Sequence, residues 1–276
     1  MEPQLRNRPL FFSVPICALI AIASIGGLFF KGTYSGETAY LIPQALAQDV
    51  IDLVLIVPTI LIAAIAITKG SRHAFFIWLG AMLYVVYTFV IYSFGIHFND
   101  LFLDYCFTLG LSFYAIVTVL VGRDGSTIKG WFDEDKSNNI VLAYLWIIAL
   151  LFFSQWLREI IPAMVTNGVP QSVKDAGTFT SAVHVLDLSI FLPGMAISAV
   201  FMRKKMPLGY IFAPSFVVFA LLTGVALVAM VISMKASGIQ VSLASLLVFL
   251  AIVVISFLVL LETMSHIKRL SKAAAR

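Results

Sequence analysis

The chain has 276 residues, 61% hydrophobic and 12% charged, with a formal net charge of +4. Soluble domains carry about 25% charged residues, so this composition excludes a water-soluble fold. Cys17 and Cys106 are too far apart for a C-x-x-C dithiol or a thiolate metal site.

The apolar residues gather in runs near the length of a bilayer crossing, about 20 residues. A short polar lead with Arg6 and Arg8 precedes the first run, 10–30. Ala21-x-Ala23 has the form of a cleavage site, but the run exceeds the roughly 7–15 apolar residues of a signal peptide, so a retained span is expected. An outer loop, 31–43, leads to the second span, 44–68, which Lys69, Gly70, Ser71 and Arg72 turn around. The third span, 75–95, carries Tyr84, Tyr87 and Tyr92. His97, Phe98, Asn99 and Asp100 turn it into the fourth, 101–121. The stretch 123–138 is the most polar of the chain, with Asp133, Glu134 and Asp135 beside Lys129 and Lys136, and it reads as a solvated linker. The fifth span is placed at 139–156, followed by a mixed loop with Pro162, Gly168 and Pro170. The sixth, 179–202, is closed by Arg203, Lys204 and Lys205. The seventh, 207–233, and the eighth, 241–261, precede a tail with Lys268, Arg269, Lys272 and Arg276.

With the N-terminus inside, 14 of the 18 basic residues fall in the lead, the tail and the three inner connections; only Lys31, Arg158, Lys174 and Lys235 fall outside. This positive-inside pattern predicts an even number of spans with both termini cytoplasmic. It also accounts for the basic balance, so nucleic-acid binding is not expected. Eight of the 14 acids sort the other way: Glu37, Asp49, Asp52, Asp100, Asp104, Glu159, Asp175 and Asp187.

Asp52-Leu-x-x-x-x-Pro58 recurs 135 residues later as Asp187-Leu-x-x-x-x-Pro193. The same shift lays the second, third and fourth spans on the sixth, seventh and eighth, and the first roughly on the fifth and its outer loop. Four spans per half is an even number, so the halves point the same way, related by a pseudo-two-fold axis along the membrane normal. The expected fold is an all-α polytopic transmembrane bundle of about eight spans in a tandem 4+4 parallel repeat. Residues 1–122 form the first half, 123–138 the cytoplasmic linker and 139–276 the second half.

Ionisable groups inside spans are costly, so each is a functional hypothesis. Gln44, Gln48 and Asp52 lie on one helix face, with Asp49 three residues before Asp52. His184 and Asp187 are three apart on the sixth span, and His97 lies in a turn. Asp49, Asp52, Asp187 and Gln48 form the candidate solute or ion site, in an outward-facing acidic vestibule. His184, His97, Asp100 and Asp104 are candidate metal ligands, since carboxylates with imidazoles suit zinc or other transition metals. Plainer roles compete: Asn99 and Asp100 as helix caps, the glutamines as interhelical hydrogen-bonders, and Arg158 and Glu159 as partners of the acids or an outer salt bridge. Pro58 and Pro193 are expected to kink their helices and free a carbonyl.

Ala47–Asp49, Tyr84–Tyr92, Phe98–Tyr105, Asp187–Pro193 and Gly209–Pro214 together resemble an uncharacterised family of bacterial eight-span inner-membrane proteins with no known activity. The likeness runs from the first span to the eighth. It implies a bacterial inner-membrane setting and no particular chemistry or cofactor. It also implies a hydroxyl residue at the Asp52 position, which favours Asp49 and Asp187 as the shared pair. Three functions are compatible with the residues: a carrier or channel for a small solute or ion, a membrane-embedded enzyme using the same carboxylates with or without a metal, and a scaffold or sensor. No phosphate-cradling loop, H-E-x-x-H or nucleophile elbow is present.

Overall fold

The computed structural model describes residues 3–133 and 135–268, with side chains from residue 7 onward. Arg6 (its side chain), Glu134, Arg269, Lys272 and Arg276, used in the charge census, lie outside that description. Among the described residues eight helices are long and apolar enough to cross a membrane. They are α1 (Pro3–Phe29), α2 (Ile42–Thr68), α3 (Arg72–Gly95), α4 (Phe102–Val121), α5 (Asn139–Val165), α6 (Ala182–Arg203), α7 (Pro207–Ala236) and α8 (Leu243–Ser265). The protein is an all-α multi-pass bundle.

α1 packs on α2 and α4, and α3 packs between α2 and α4. In the second set α6 lies between α5 and α7, and α7 packs along α8. α5 and α8 meet only briefly, whereas α1 and α4 pack along each other. The two sets join chiefly where α7 crosses α3 and the start of α2. Without a hydrophobic drive between helices in lipid, such crossings rely on small residues that let backbones approach. Gly80 of α3 is one: a Cβ there would lie 2.5 Å from the Ser215 carbonyl oxygen of α7.

α2 and α6 share a local irregularity with a clear cause. A proline nitrogen has no hydrogen to donate, and its ring crowds the carbonyl four residues back. Just before Pro58 the helix therefore widens by one residue: the Val57 N–H bonds to the Asp52 carbonyl, five residues back. Just before Pro193 the Leu192 N–H bonds to the Asp187 carbonyl in the same way. The expected kinks are thus single π turns, Asp52–Ile56 and Asp187–Phe191, each opening on the aspartate.

The 135-residue offset also holds elsewhere. The turn after α2 bonds Gly70 N–H to Ile67 O and Ser71 N–H to Ala66 O; the turn after α6 bonds Lys205 N–H to Met202 O and Met206 N–H to Phe201 O. Gly80 rests on Ser215, its own counterpart at that offset. α5 corrects the sequence reading: it runs on to Val165 instead of ending at 156. Pro162, Gly168 and Pro170 marked the following stretch as a loop, but Pro162 lies inside the helix, Arg158 is exposed on its surface and Glu159 faces a histidine on α6. α1 and α5 then match each other directly rather than α1 overlapping the outer loop.

The 123–138 segment is not simply solvated. Asp124 caps a short helix, Gly125–Lys129, by accepting from the Ser126 and Thr127 N–H groups, which hold its carboxyl below the usual range. Ile128, Trp131 and Phe132 are buried. Trp131 meets Phe75 and Phe76 edge-on, Phe132 packs on Phe76 and Tyr210, and Phe132 pairs with Ile267. This aromatic layer closes the face of the bundle that bears the termini.

Candidate functional site

Asp49, Asp52 and Asp187 are 1%, 2% and 8% exposed, so none faces lipid. Burying a carboxyl group costs heavily unless donors meet it, and each of the three has its own set.

Gln48, one helical turn before Asp52, donates through Nε2 to Asp52 Oδ1 at 2.9 Å and to the Tyr84 hydroxyl. The Tyr84 phenol of α3 stands beside the Asp52 carboxyl and Thr88. Asp187 accepts from Trp156 Nε1 of α5 at 2.7 Å, with the Tyr87 phenol of α3 beside it. Tyr84 and Tyr87 stand three apart on α3, so one helix supplies a phenol to each member of the repeated Asp-Leu motif. Asp52 and Asp187 each lie 17 residues before the lysine that follows their helix, Lys69 and Lys204. At about 1.5 Å rise per residue this places them at one depth.

Asp49 belongs elsewhere. It accepts from the Tyr34 hydroxyl at 2.7 Å and the Tyr92 hydroxyl at 3.0 Å. Its carboxylate is pressed against Gly27 of α1, where an added Cβ would lie 2.0 Å from Oδ2. Burial, and then the Asp49 carboxylate, push the Tyr34 phenol above its usual range, so it remains a donor. This cluster ties the 31–43 loop and α1 to α2.

Between the two helix sets lies a cavity of about 480 Å³, within the range of small-molecule sites. It extends from Tyr40 and Ser181, at the face opposite the termini, down to Met195 of α6, 14 residues below Ser181. Its wall is mainly aromatic and aliphatic, with Tyr84, Tyr87, Phe152, Trp156 and Phe219 among the larger groups. Asp187, Glu159, His184 and Gln48 supply polar wall. Among the described residues no lysine or arginine lines it. The Thr223 and Ser172 hydroxyls, also on the wall, are buried without a hydrogen-bond partner among the described residues. At the mouth, burial and then the Asp175 and Glu159 carboxylates push the Tyr40 phenol up.

The structure does not bring all the candidate residues to one place. Asp187, His184, Gln44 and Gln48 reach the cavity; Asp52 sits one layer behind Gln48 and Tyr84; Asp49 lies in a separate network facing α1. The four candidate metal ligands are likewise separated in role. His97 donates its backbone N–H and turns Nδ1 to buried Glu37, at 2.7 and 3.1 Å. His184 packs at a tilt against Trp156, 4.6 Å between ring centres, with Nε2 3.8 Å from Glu159. Asp100 is exposed, and Asp104 points a buried oxygen at no partner among the described residues. No group of three or more His, Cys, Asp or Glu fit to hold a metal occurs among the described residues. The expected side-chain cap is absent: Leu101 is the N-cap of α4, and Asn99 Oδ1 accepts from the Leu101 N–H ahead of the first turn. Glu159 partners His184 and the Ser172 N–H, and not an aspartate.

Sequence reasoning missed Tyr34 and Glu37, which lie in a loop without helical periodicity. Ending the fifth span at 156 hid that Trp156 and Glu159 share a helix face on the cavity. No protein family, curated protein or solved structure matches the chain, so a functional reading rests on the site itself.

Proposed function

We propose that the protein is a carrier in a bacterial inner membrane, with cytoplasmic termini and two similar four-helix halves, that takes a small amphipathic cation into the cavity from the outer side. The observation that carries this reading is Asp187: a buried carboxyl group on a mainly aromatic and aliphatic wall to which no lysine or arginine among the described residues contributes. An apolar ligand with a positive charge supplies the missing partner, and the aromatic faces attract the same charge. The matched π turns, the matched turns after α2 and α6, and the Gly80–Ser215 crossing support the two-half architecture. The basic residues on the termini face support the orientation.

Tetraphenylphosphonium and an uncharged tetraphenyl analogue serve as probes, with quenching of tryptophan fluorescence as the readout. The wild-type protein binds the cation preferentially. Asp187→Asn keeps an acceptor for Trp156 and weakens cation binding by about 10- to 100-fold, the worth of one hydrogen-bonded charge, while the neutral analogue binds as before. Equal affinity for the two probes in the wild-type protein, or an unchanged cation affinity in Asp187→Asn, overturns the reading. Uptake of the cation into proteoliposomes then separates carriage from binding alone.

A further inference from the structure

A second cavity, of about 220 Å³, opens at the termini face between the 129–139 segment, the end of α6 and the start of α7. Lys129, Lys136, Arg203 and Lys205 line it against one described carboxylate, Asp133. The ion pairs among the described residues are all histidine–glutamate pairs, so none neutralises these cations. Lys136 reaches instead to the Ser265 carbonyl, at 2.8 Å. The side chains of Ser137, Asn138 and Asn139 add neutral hydrogen-bonding groups to the wall. The cavity lies at the level where α5 begins and α6 ends, the depth of lipid headgroups.

Lys205 is the telling residue. The turn after α2 and the turn after α6 have the same pair of backbone hydrogen bonds, and both need a left-handed residue at the same place. After α2 that residue is Gly70, at φ 88°; after α6 it is Lys205, at φ 56°. Glycine takes this conformation freely, whereas a residue with a Cβ is strained there. The strained choice places a cation on the cavity wall, and strain kept in a fold points to a use for the side chain.

We propose that this cavity binds a phosphate group, supplied at that depth by the headgroup of an anionic phospholipid. Basic cavities at the ends of membrane helices suit such headgroups. The site is independent of the carrier reading. The test uses purified protein in a neutral detergent, titrated with dioctanoyl phosphatidylglycerol, dioctanoyl phosphatidylcholine or inorganic phosphate, with native mass spectrometry and melting temperature as readouts. Phosphatidylglycerol binds more tightly than phosphatidylcholine and raises the melting temperature. Lys205→Gly lowers its affinity about fivefold, although without ligand the variant melts at the same or a higher temperature, because the turn is relaxed. Arg203→Gln lowers the affinity similarly. Binding of inorganic phosphate as tight as that of phosphatidylglycerol, and weakened by Lys205→Gly, keeps the phosphate site and assigns it to a soluble ligand. Equal binding of the two lipids, or anion binding indifferent to both substitutions, overturns the proposal.

Discussion

Gly80→Ala lowers the stability of the detergent-solubilised protein by about 3 kcal/mol, at the upper end of the overpacking range. The added methyl would stand 2.5 Å from both the Ser215 carbonyl oxygen and Val218 Cβ. The first is backbone and cannot swing aside, so α3 and α7 must separate along the contact that joins the two helix sets. At about 2–4 °C per kcal/mol for a chain of this order of size, melting falls by roughly 6–12 °C. Gly110→Ala, at a position with nothing within 4 Å of the new Cβ, is the control and melts like the wild-type protein. Tryptophan fluorescence during heating reads both. If Gly80→Ala melts with the control, the α3–α7 crossing does not hold the halves together.

The eight spans were legible because each is a long, mainly apolar stretch, and the two Asp-Leu-x-x-x-x-Pro segments because their anchors are chemically unusual. Asp-Leu-x-x-x-x-Pro also contained the π turns: the proline requires a missing donor, and the widened turn supplies the slack. That consequence follows from the sequence, although the expected result was a kink. The facing of side chains across helices was not legible. Gln44, Gln48, Asp49 and Asp52 lie within nine residues, yet Gln44 and Gln48 face the cavity, Asp52 stands behind, and Asp49 turns to Gly27 and Tyr34. Spacing places residues on a helical face, but which neighbour covers that face depends on helix crossings such as Gly80 on Ser215. The charge-rich 123–138 segment misled for a related reason: composition is an average, and Ile128, Trp131 and Phe132 among those charges are enough to dock it on the bundle.

Gln48→Leu costs about 3 kcal/mol, and adding Asp52→Leu restores most of the loss. Gln48 Nε2 serves two acceptors at once, Asp52 Oδ1 and the Tyr84 hydroxyl. Leucine fills the space and donates nothing, so a carboxyl group 2% exposed keeps only Tyr84. A buried polar group that loses its partner bears the full desolvation cost, about 1–3 kcal/mol and more when charged, whereas removing both partners together is close to neutral. In the double variant Tyr84 retains Thr88, and no carboxyl group remains to be solvated. The two substitutions are therefore strongly non-additive, and a double-mutant cycle of melting temperatures measures the coupling. Losses that simply add would mean that Asp52 is solvated by something other than Gln48 and Tyr84. The contrast with Asp187 is functional. Asp187 stands on the cavity wall between α5 and α3, so Asp187→Asn leaves the stability within about 1 kcal/mol of wild type while cation binding weakens about 10- to 100-fold. Asp52, sealed behind its glutamine, affects folding first. On the proposed reading, the same motif at the same depth serves structure in one half and ligand binding in the other, and the two variants compared side by side test that division.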